Sequence, residues 1–441
     1  MTGQRPGETL KTRLNDIAHH TCAKDNQALN LMCLFNVENM RVWFGKLRKG
    51  ASPGVDEMTY EEYEVNLDEN LEQLEQMMRQ WSYRPQPSLR VYIPKENGKQ
   101  RPLGIPALED KIIQQGMKEI LEAVYEPLFL DCSYGFRPEL GCYDALKAVD
   151  RAVMQKPTNW IIDADISSYF DTVDHEWLVE MMELKIGDKQ FIRLIKRFLK
   201  AGIVDEGLWR ATKEGTPQGG IISPILGNIY LHYVLDLWVE KAVKPWAEGF
   251  VALVRYADDL LVCVQKKREA YGIYEALGKR LEKFGLKLSR EKTKIIPFGR
   301  YAEENAKRKG RKPETFEFLG FTHYNGRTRK GSYKLDRRTI ARRFTAKLMD
   351  LKEWIKKARY AQPRDKWWRT LKAKLRGHYQ YFGISGNLDR IRAFGSQALH
   401  IVIKWVSRMS QKRHKAKQNL LKYLARNPLP EPKIHVNLWS F

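Results

Sequence analysis

Apolar positions recur along this chain with two different periods, and the switch between them outlines the fold. Ala28, Leu31, Leu34 and Phe35 stand near helical spacing and predict a helical segment up to about residue 48, broken by Gly50 to Gly54. Tyr60 to Trp81 is acidic and predicts a second helix, and Asp110 to Leu128 a third. Between them, Ser88 to Ile105 predicts a hairpin turning at Glu96-Asn-Gly98. Trp160, Ile161, Ile162 and Ile166 predict a buried strand. Arg300 to Pro313 is polar, basic and aperiodic, which predicts a loop. Three amphipathic helices follow. Ile340, Phe344, Leu348, Leu351 and Ile355 step by 4, 4, 3 and 4; Trp367, Leu371, Leu375 and Tyr379 step by 4; Phe394, Ala398, Ile401, Trp405 and Met409 step by 4, 3, 4 and 4. Pro363 and the stretch Gly383 to Gly386 separate them. No internal repeat is visible.

Acids interrupt the pattern where it is most apolar. Asp258 and Asp259 lie inside Val254-Arg-Tyr-Ala-Asp-Asp-Leu-Leu-Val-Cys-Val264. A strand interior does not carry two adjacent like charges. A tight turn between two short strands resolves the conflict by lifting both carboxylates to a hairpin tip. There they repel unless a cation sits between them, and hard oxygen ligands suit Mg²⁺. Two-metal phosphoryl- or nucleotidyl-transfer sites are built this way; the plain alternative is an Asp-Asp turn on a surface hairpin. The strand beginning at Trp160 offers a third acid. Alternation puts Asp163 and Asp165 on one face, so either can be the ligand. Asp171 and Asp174 precede a helix expected near His175, where acids cap N–H groups and meet the positive end of the dipole.

Asp165-Ile-Ser-Ser-Tyr-Phe-Asp171, Gly215-Thr-Pro-Gln-Gly-Gly-Ile-Ile-Ser-Pro-Ile-Leu-Gly-Asn228 and Tyr256-Ala-Asp-Asp259 occur in the order found in reverse transcriptases. Further segments agree: Lys49-Gly-Ala-Ser-Pro-Gly-Val-Asp56, Ile93-Pro-Lys-Glu-Asn-Gly-Lys-Gln-Arg-Pro-Leu-Gly-Ile-Pro106, Asp110-Lys-Ile-Ile-Gln-Gln115, Ser133-Tyr-Gly-Phe-Arg-Pro138, Phe284-Gly-Leu-Lys-Leu-Ser-Arg-Glu-Lys-Thr-Lys294 and Phe316-Glu-Phe-Leu-Gly-Phe321. Over roughly Lys49 to Asn387 the chain resembles the group II intron-encoded reverse transcriptase/maturase family, in its bacterial form without a C-terminal endonuclease. The resemblance implies an α+β right-hand polymerase. Its parts would be an N-terminal extension over 1–60, fingers over 61–143 and a palm with some fingers elements over 144–330. A thumb equivalent to the family's domain X would span 335–410, with a basic tail, a candidate remnant DNA-binding region, over 411–441.

Charge sharpens the picture. The net charge is +24, yet residues 301–441 hold 35 Lys+Arg against 10 Asp+Glu, and residues 1–300 hold 42 against 43. The whole excess therefore lies in the last third, which calls for a polyanion. Trp354, Trp367, Trp368, Tyr379, Tyr381, Phe382 and Trp405 interleave with the basic residues, as stacking platforms or as the core of a charged helical lobe. Leu375-Arg-Gly-His-Tyr-Gln-Tyr-Phe382 resembles a maturase domain, and Lys372, Lys374, Arg376 and Tyr379 are its candidate RNA contacts. No transmembrane run or signal peptide is visible, and the five cysteines lack paired spacing; a cytoplasmic protein with reduced thiols and no membrane partner is expected.

The resemblance implies RNA-directed DNA synthesis plus assistance to intron splicing. Asp165, rather than Asp163, then joins Asp258 and Asp259 as the catalytic acids, which with the Ile166 carbonyl hold two Mg²⁺ ions. Lys95 and Arg101 flank the Asn97-Gly98 turn and converge on a dNTP triphosphate. Phe170 becomes the gate against a ribose 2′-hydroxyl, Gln218 a contact to incoming sugar or template, and Lys292 a proton donor to pyrophosphate. Expected partners are intron RNA, RNA template-primer, target DNA and dNTPs. Two other readings compete: a maturase acting by RNA binding alone, and the reverse transcriptase of a diversity-generating, retron or CRISPR-associated element. Many family members continue into a nuclease with zinc-like cysteine pairs; no such pairs occur here, so second-strand DNA cleavage is not expected.

Overall fold

The structure, a computed structural model, describes residues 9–23, 25–94, 100–212, 214–216 and 219–439. Helix α1 (Leu10–Thr21) starts at Thr9, whose hydroxyl accepts the N–H of Thr12 at 3.3 Å. The helical segment expected up to residue 48 is broken. Ala28 bridges Ile186, Asn30 turns left-handed (φ 55°), and a 3₁₀ turn over Leu31–Leu34 precedes α2 (Val37–Gly45). Asp188 explains the break: its carboxylate accepts the N–H groups of Leu31 (2.7 Å) and Met32 (3.1 Å), a tertiary cap no local pattern shows. The acidic helix appears as α3 (Tyr60–Val65), opened by a Thr59–Glu62 capping box, and α4 (Leu67–Arg79). Strands β1 (Ser88–Pro94) and β2 (Gln100–Ile105) form the expected hairpin, with Ile93 opposite Arg101; its turn lies outside the described residues. Pro102 is tolerated because β2 is an edge strand. In α5 (Leu108–Tyr125), Gly116 has no room for a side chain: a Cβ would lie 2.5 Å from the Trp43 ring.

Next come α6 (Cys142–Met154), β3 (Trp160–Asp165), α7 (His175–Glu183) and α8 (Lys189–Leu199). Asp174 caps α7 as expected, accepting from Glu176 (2.8 Å) and Trp177 (2.9 Å). Strands β4 (Ile203–Asp205) and β5 (Leu208–Arg210) extend the first hairpin into a sheet of order β2-β1-β4-β5. Helix α9 (Ser223–Leu231) runs through two π turns, His232–Asp236 and Val239–Val243, into α10 (Lys244–Trp246). Then follow β6 (Val251–Tyr256), β7 (Asp259–Val264), α11 (Lys267–Lys283) and β8 (Lys294–Pro297), giving a sheet of order β6-β7-β3-β8. The expected loop over 300–313 contains α12 (Ala302–Arg308), an aperiodic charged helix supported by Glu303 pairing with Lys307 and Arg327. Strands β9 (Phe316–Phe318), β10 (Phe321–Arg327) and β11 (Tyr333–Thr339) form an antiparallel sheet. Helices α13 (Ala341–Ala361), α14 (Arg364–Phe382), α15 (Leu388–Ser407) and α16 (Arg413–Arg426) complete the chain.

These elements group into two compact units. One holds Met1–Gly141, Ala164–Val262 and Arg268–Lys294; the other holds Cys142–Asp163, Cys263–Lys267 and Ile295–Phe441. In the second, the stripes expected for α13 and α14 are buried. On α15 the stripe drifts: Val402 and Val406 are buried, Ile401 and Trp405 only half-buried, and Met409 lies past the helix. A strict mixture of steps of 3 and 4 over five turns follows the 3.6-residue period imperfectly. All five cysteines are free. Among the described residues no helix is long and apolar enough to cross a membrane.

Candidate active site

The acidic pair stands where its flanks require. Val251, Leu253 and Val254 of β6 and Leu260 to Val264 of β7 are buried, and the chain reverses at Ala257 and Asp258. Asp258 is half-buried at the turn and Asp259 is exposed as the first residue of β7. Ala257 adopts φ +55°, a conformation that L-residues other than Asn and Asp seldom hold.

A buried bracket holds that turn. Arg255, fully buried, places Nε and a terminal nitrogen on the two oxygens of Asp236 at 2.8 and 2.6 Å. Its other terminal nitrogen donates to Asn228 Oδ1 (3.0 Å) and to the Ala257 carbonyl (3.2 Å). Asn228 in turn donates to the Gly135 carbonyl at 2.7 Å. Gly135 is required here, because a Cβ would lie 2.4 Å from the Ala257 nitrogen. Two motifs noted in the sequence, Ser133–Pro138 and Gly215–Asn228, thus converge behind the turn. The sequence reading missed Arg255 and Asp236. A signal existed: an arginine inside an apolar strand must find a buried acid.

Asp165 ends β3 with its backbone fixed, its carbonyl accepting from Ser289 at 2.8 Å. Its carboxylate accepts a 2.7 Å bond from Lys292 Nζ. Burial pushes the Asp258 carboxyl above the usual carboxylate range, and the charge of Asp165 adds to this. Its own backbone N–H and the charges of Arg101 and Lys292 act the other way. Three expected site residues, Asp165, Arg101 and Lys292, are therefore within electrostatic reach of Asp258. Among the described residues, no three His, Cys, Asp or Glu groups converge as a ready-made metal cluster. A carboxylate whose proton affinity is raised by burial and by a neighbouring acid belongs to a hard-oxygen pair short of positive charge, which fits a divalent cation.

Phe170 is half-buried beside Tyr169, ring centroids 5.1 Å apart. Its carbonyl accepts the N–H of Thr216 at 2.7 Å, and a Cβ on Gly227 would lie 3.1 Å from its ring. Lys95 and Gln218 lie outside the described residues. The neighbouring Gly219 (φ +107°) packs on β2, where a Cβ would meet the Gly104 carbonyl at 2.6 Å. Gln114 of α5 holds the same loop by accepting the N–H of Ile221 at 2.9 Å. Ile166 is buried and bridges Leu288.

In the basic lobe, Lys374 and Arg376 are exposed on α14 and Lys372 is half-buried. Lys374 Nζ sits 5.3 Å over the Trp354 ring. Tyr379, Trp367 and Trp368 are each 2% exposed, so these rings are core. Trp405 is half-buried under Lys356 (4.8 Å), Arg359 (5.1 Å) and Arg408 (4.8 Å).

The sequence that builds this site has known relatives. The family model described as "Reverse transcriptase (RNA-dependent DNA polymerase)" matches residues 93–323. Protein YkfC of Escherichia coli is 39% identical over 279 residues, 56% of this chain and 73% of that protein. Group II intron-encoded protein LtrA of Lactococcus lactis is 36% identical over 248 residues, 54% of this chain and 41% of that protein. A nuclear intron maturase of Arabidopsis thaliana is 28% identical over 130 residues, 29% of this chain and 16% of that protein. The chain thus spans less than half the length of these intron-related proteins. It belongs to the reverse transcriptase (RNA-dependent DNA polymerase) family, with group II intron-encoded proteins and intron maturases among its relatives. Members of this family bind nucleic acid and work with divalent metal ions.

Proposed function

We propose that the chain copies RNA into DNA from a primer, using dNTPs and Mg²⁺, and that it also binds group II intron RNA to assist splicing and mobility at a DNA target, in the cytoplasm. The observation that carries the first part is the pairing of Asp165 with Asp258 at the bracketed turn. Asp165 and Asp258, with Asp259 and the Ile166 carbonyl in support, would hold two Mg²⁺ ions, which supply activation of the primer 3′-hydroxyl and charge for the leaving pyrophosphate.

The chain's own groups do the rest. Arg101, together with Lys95, binds the triphosphate, where the guanidinium fork suits two phosphate oxygens. Phe170 leaves no room for a 2′-hydroxyl, and Gln218 hydrogen-bonds the sugar or the template nucleotide. Lys292 shields Asp165 until substrate arrives and then lies near enough to protonate pyrophosphate. The fingers (61–143), palm (144–330) and thumb (335–410) belong to this reading, as does RNA contact through Lys372, Lys374 and Arg376; Tyr379, expected from the sequence to join them, is buried and supports that face from the core. The clustered acids favour it over a maturase that only binds RNA, which has no use for carboxylates facing a polyanion. The test is extension of a DNA primer on an RNA template with Mg²⁺ and dNTPs. Robust extension, with rNTPs strongly disfavoured, is expected. Binding of the template-primer without any extension would favour the binding-only role.

A further inference from the structure

The second unit contains a cavity of about 400 Å³ that the polymerase reaction does not use. Helix α14 forms one wall through Arg376 and Gln380, with the buried Tyr379 beneath. The segment after α16 forms the other, through Pro430, Glu431, Lys433 and His435. That segment is docked, not loose. His435 donates its N–H to the Gly383 carbonyl at 2.6 Å, Ser385 donates to the Val436 carbonyl at 3.1 Å, and Leu438, wholly buried, donates to Ser385 Oγ at 3.1 Å. Gly383 permits this approach: a Cβ there would lie 2.6 Å from the Lys433 carbonyl.

The lining is chemically mixed in a way a plain phosphate-binding face is not. Arg376 and Lys433 are exposed cations suited to a phosphate. Glu431 is the only acid in residues 390–441, and it stands in this wall. A carboxylate repels a phosphate backbone but accepts from base N–H groups, and Gln380 offers both a donor and an acceptor. The volume lies within the usual range of small-ligand sites.

We propose that this cavity binds one unpaired guanosine nucleotide of the RNA held by the basic lobe, with phosphate on Arg376 and Lys433 and the base edge on Glu431 and Gln380. Guanine presents two adjacent N–H donors to the two oxygens of a carboxylate. Uracil presents one donor between two acceptors, which the carboxylate repels. Splayed single-stranded bases are what sequence-reading RNA-binding proteins recognise. The inference rests on the RNA-binding reading of this lobe.

The test uses the full chain and two probes. Ligand-observed NMR with 5′-GMP and 5′-UMP should show GMP binding at least about fivefold tighter. Glu431→Gln should abolish that preference. The double variant Arg376→Ala, Lys433→Ala should weaken GMP about tenfold, and Lys417→Ala, on α16 outside the cavity, should not. Fluorescence anisotropy should then show a uridine octamer gaining affinity when one central base becomes guanine, in wild type but not in Glu431→Gln. Equal binding of GMP and UMP, or a preference surviving Glu431→Gln, overturns the proposal. So does GMP binding without any gain from guanine in the octamer, which would make the ligand a free nucleotide. Failure of the wild type to bind either octamer would instead count against the RNA-binding reading itself.

Discussion

Replacing Asp236 by Asn removes one charge from a pair in which both side chains are fully buried. The guanidinium of Arg255 then keeps one neutral amide acceptor in place of two carboxylate bonds of 2.8 and 2.6 Å, and an amide NH2 faces its other N–H at a fully buried site. Removing one partner of such a pair costs about 3–5 kcal/mol, because the other charge is left buried and uncompensated. That is a large share of a domain's stability of about 5–15 kcal/mol, so the variant should fold but unfold at lower urea. The catalytic effect is separate. The same guanidinium holds the Ala257 carbonyl, and Ala257 is kept at φ +55° against a preference of about 1–2 kcal/mol. Released, the turn relaxes and carries Asp258 away from Asp165; a shift of about 1 Å in a reacting group can cost on the order of 100-fold in rate. Primer extension at saturating substrate, well below the melting temperature, should show that loss in kcat. The double variant Arg255→Met, Asp236→Leu separates the two effects. It removes both charges, so stability should largely return, while kcat should not. Recovery of both would make the bracket mere packing, and wild-type kcat in Asp236→Asn would refute the positioning role outright.

Three further outcomes are expected. Burial raises the Asp110 carboxyl to about 7, opposed by bonds from Tyr83 and the Gln86 N–H and aided by the charges of Glu109 and Asp56. Its folded pKa exceeds the unfolded value of about 3.9, so its stabilisation is fully present below about pH 4 and is lost as pH rises through about 7; Asp110→Asn should flatten the fall in melting temperature between about pH 4 and 7, and an unchanged slope would contradict the assignment. Phe170→Ala should raise rNTP incorporation in single-nucleotide extension, while an unchanged dNTP/rNTP ratio would leave Phe170 a packing residue. Charge reversal of Lys372, Lys374 and Arg376 together should weaken RNA binding and intron splicing more than extension of a saturating short template-primer; unchanged binding, salt dependence and splicing would show that face to be merely solvated.

What the sequence made legible were features set by local periodicity and local charge. The hairpin that lifts Asp258, the Asp174 cap and the buried stripes of α13 and α14 follow from residues within a few positions of one another. The features it hid depend on distant partners. Asp188 breaks the N-terminal helical segment from 157 residues away, and Asp236 reaches Arg255 only because the chain between them folds back. Helix α12 was unreadable because ion pairs of Glu303, not an apolar stripe, support it. The choice between Asp163 and Asp165 was equally closed to alternation, since both share a face; the resemblance chose Asp165, and in the structure that residue carries the Lys292 contact and acts on Asp258. The docking of residues 433–438 against the end of α14 is likewise tertiary, allowed by Gly383.

The central claim is that Asp258, held at the bracketed turn beside Asp165, makes this chain a polymerase. Asp258→Asn keeps the shape and removes one ligand charge. On one preparation, primer extension on RNA with saturating Mg²⁺ and dNTPs should fall roughly a hundredfold or more, because loss of one ligand disorganises the site. RNA affinity measured beside it should stay at the wild-type value, because the excess of 35 Lys+Arg over 10 Asp+Glu lies in residues 301–441. Full extension by Asp258→Asn would contradict the account.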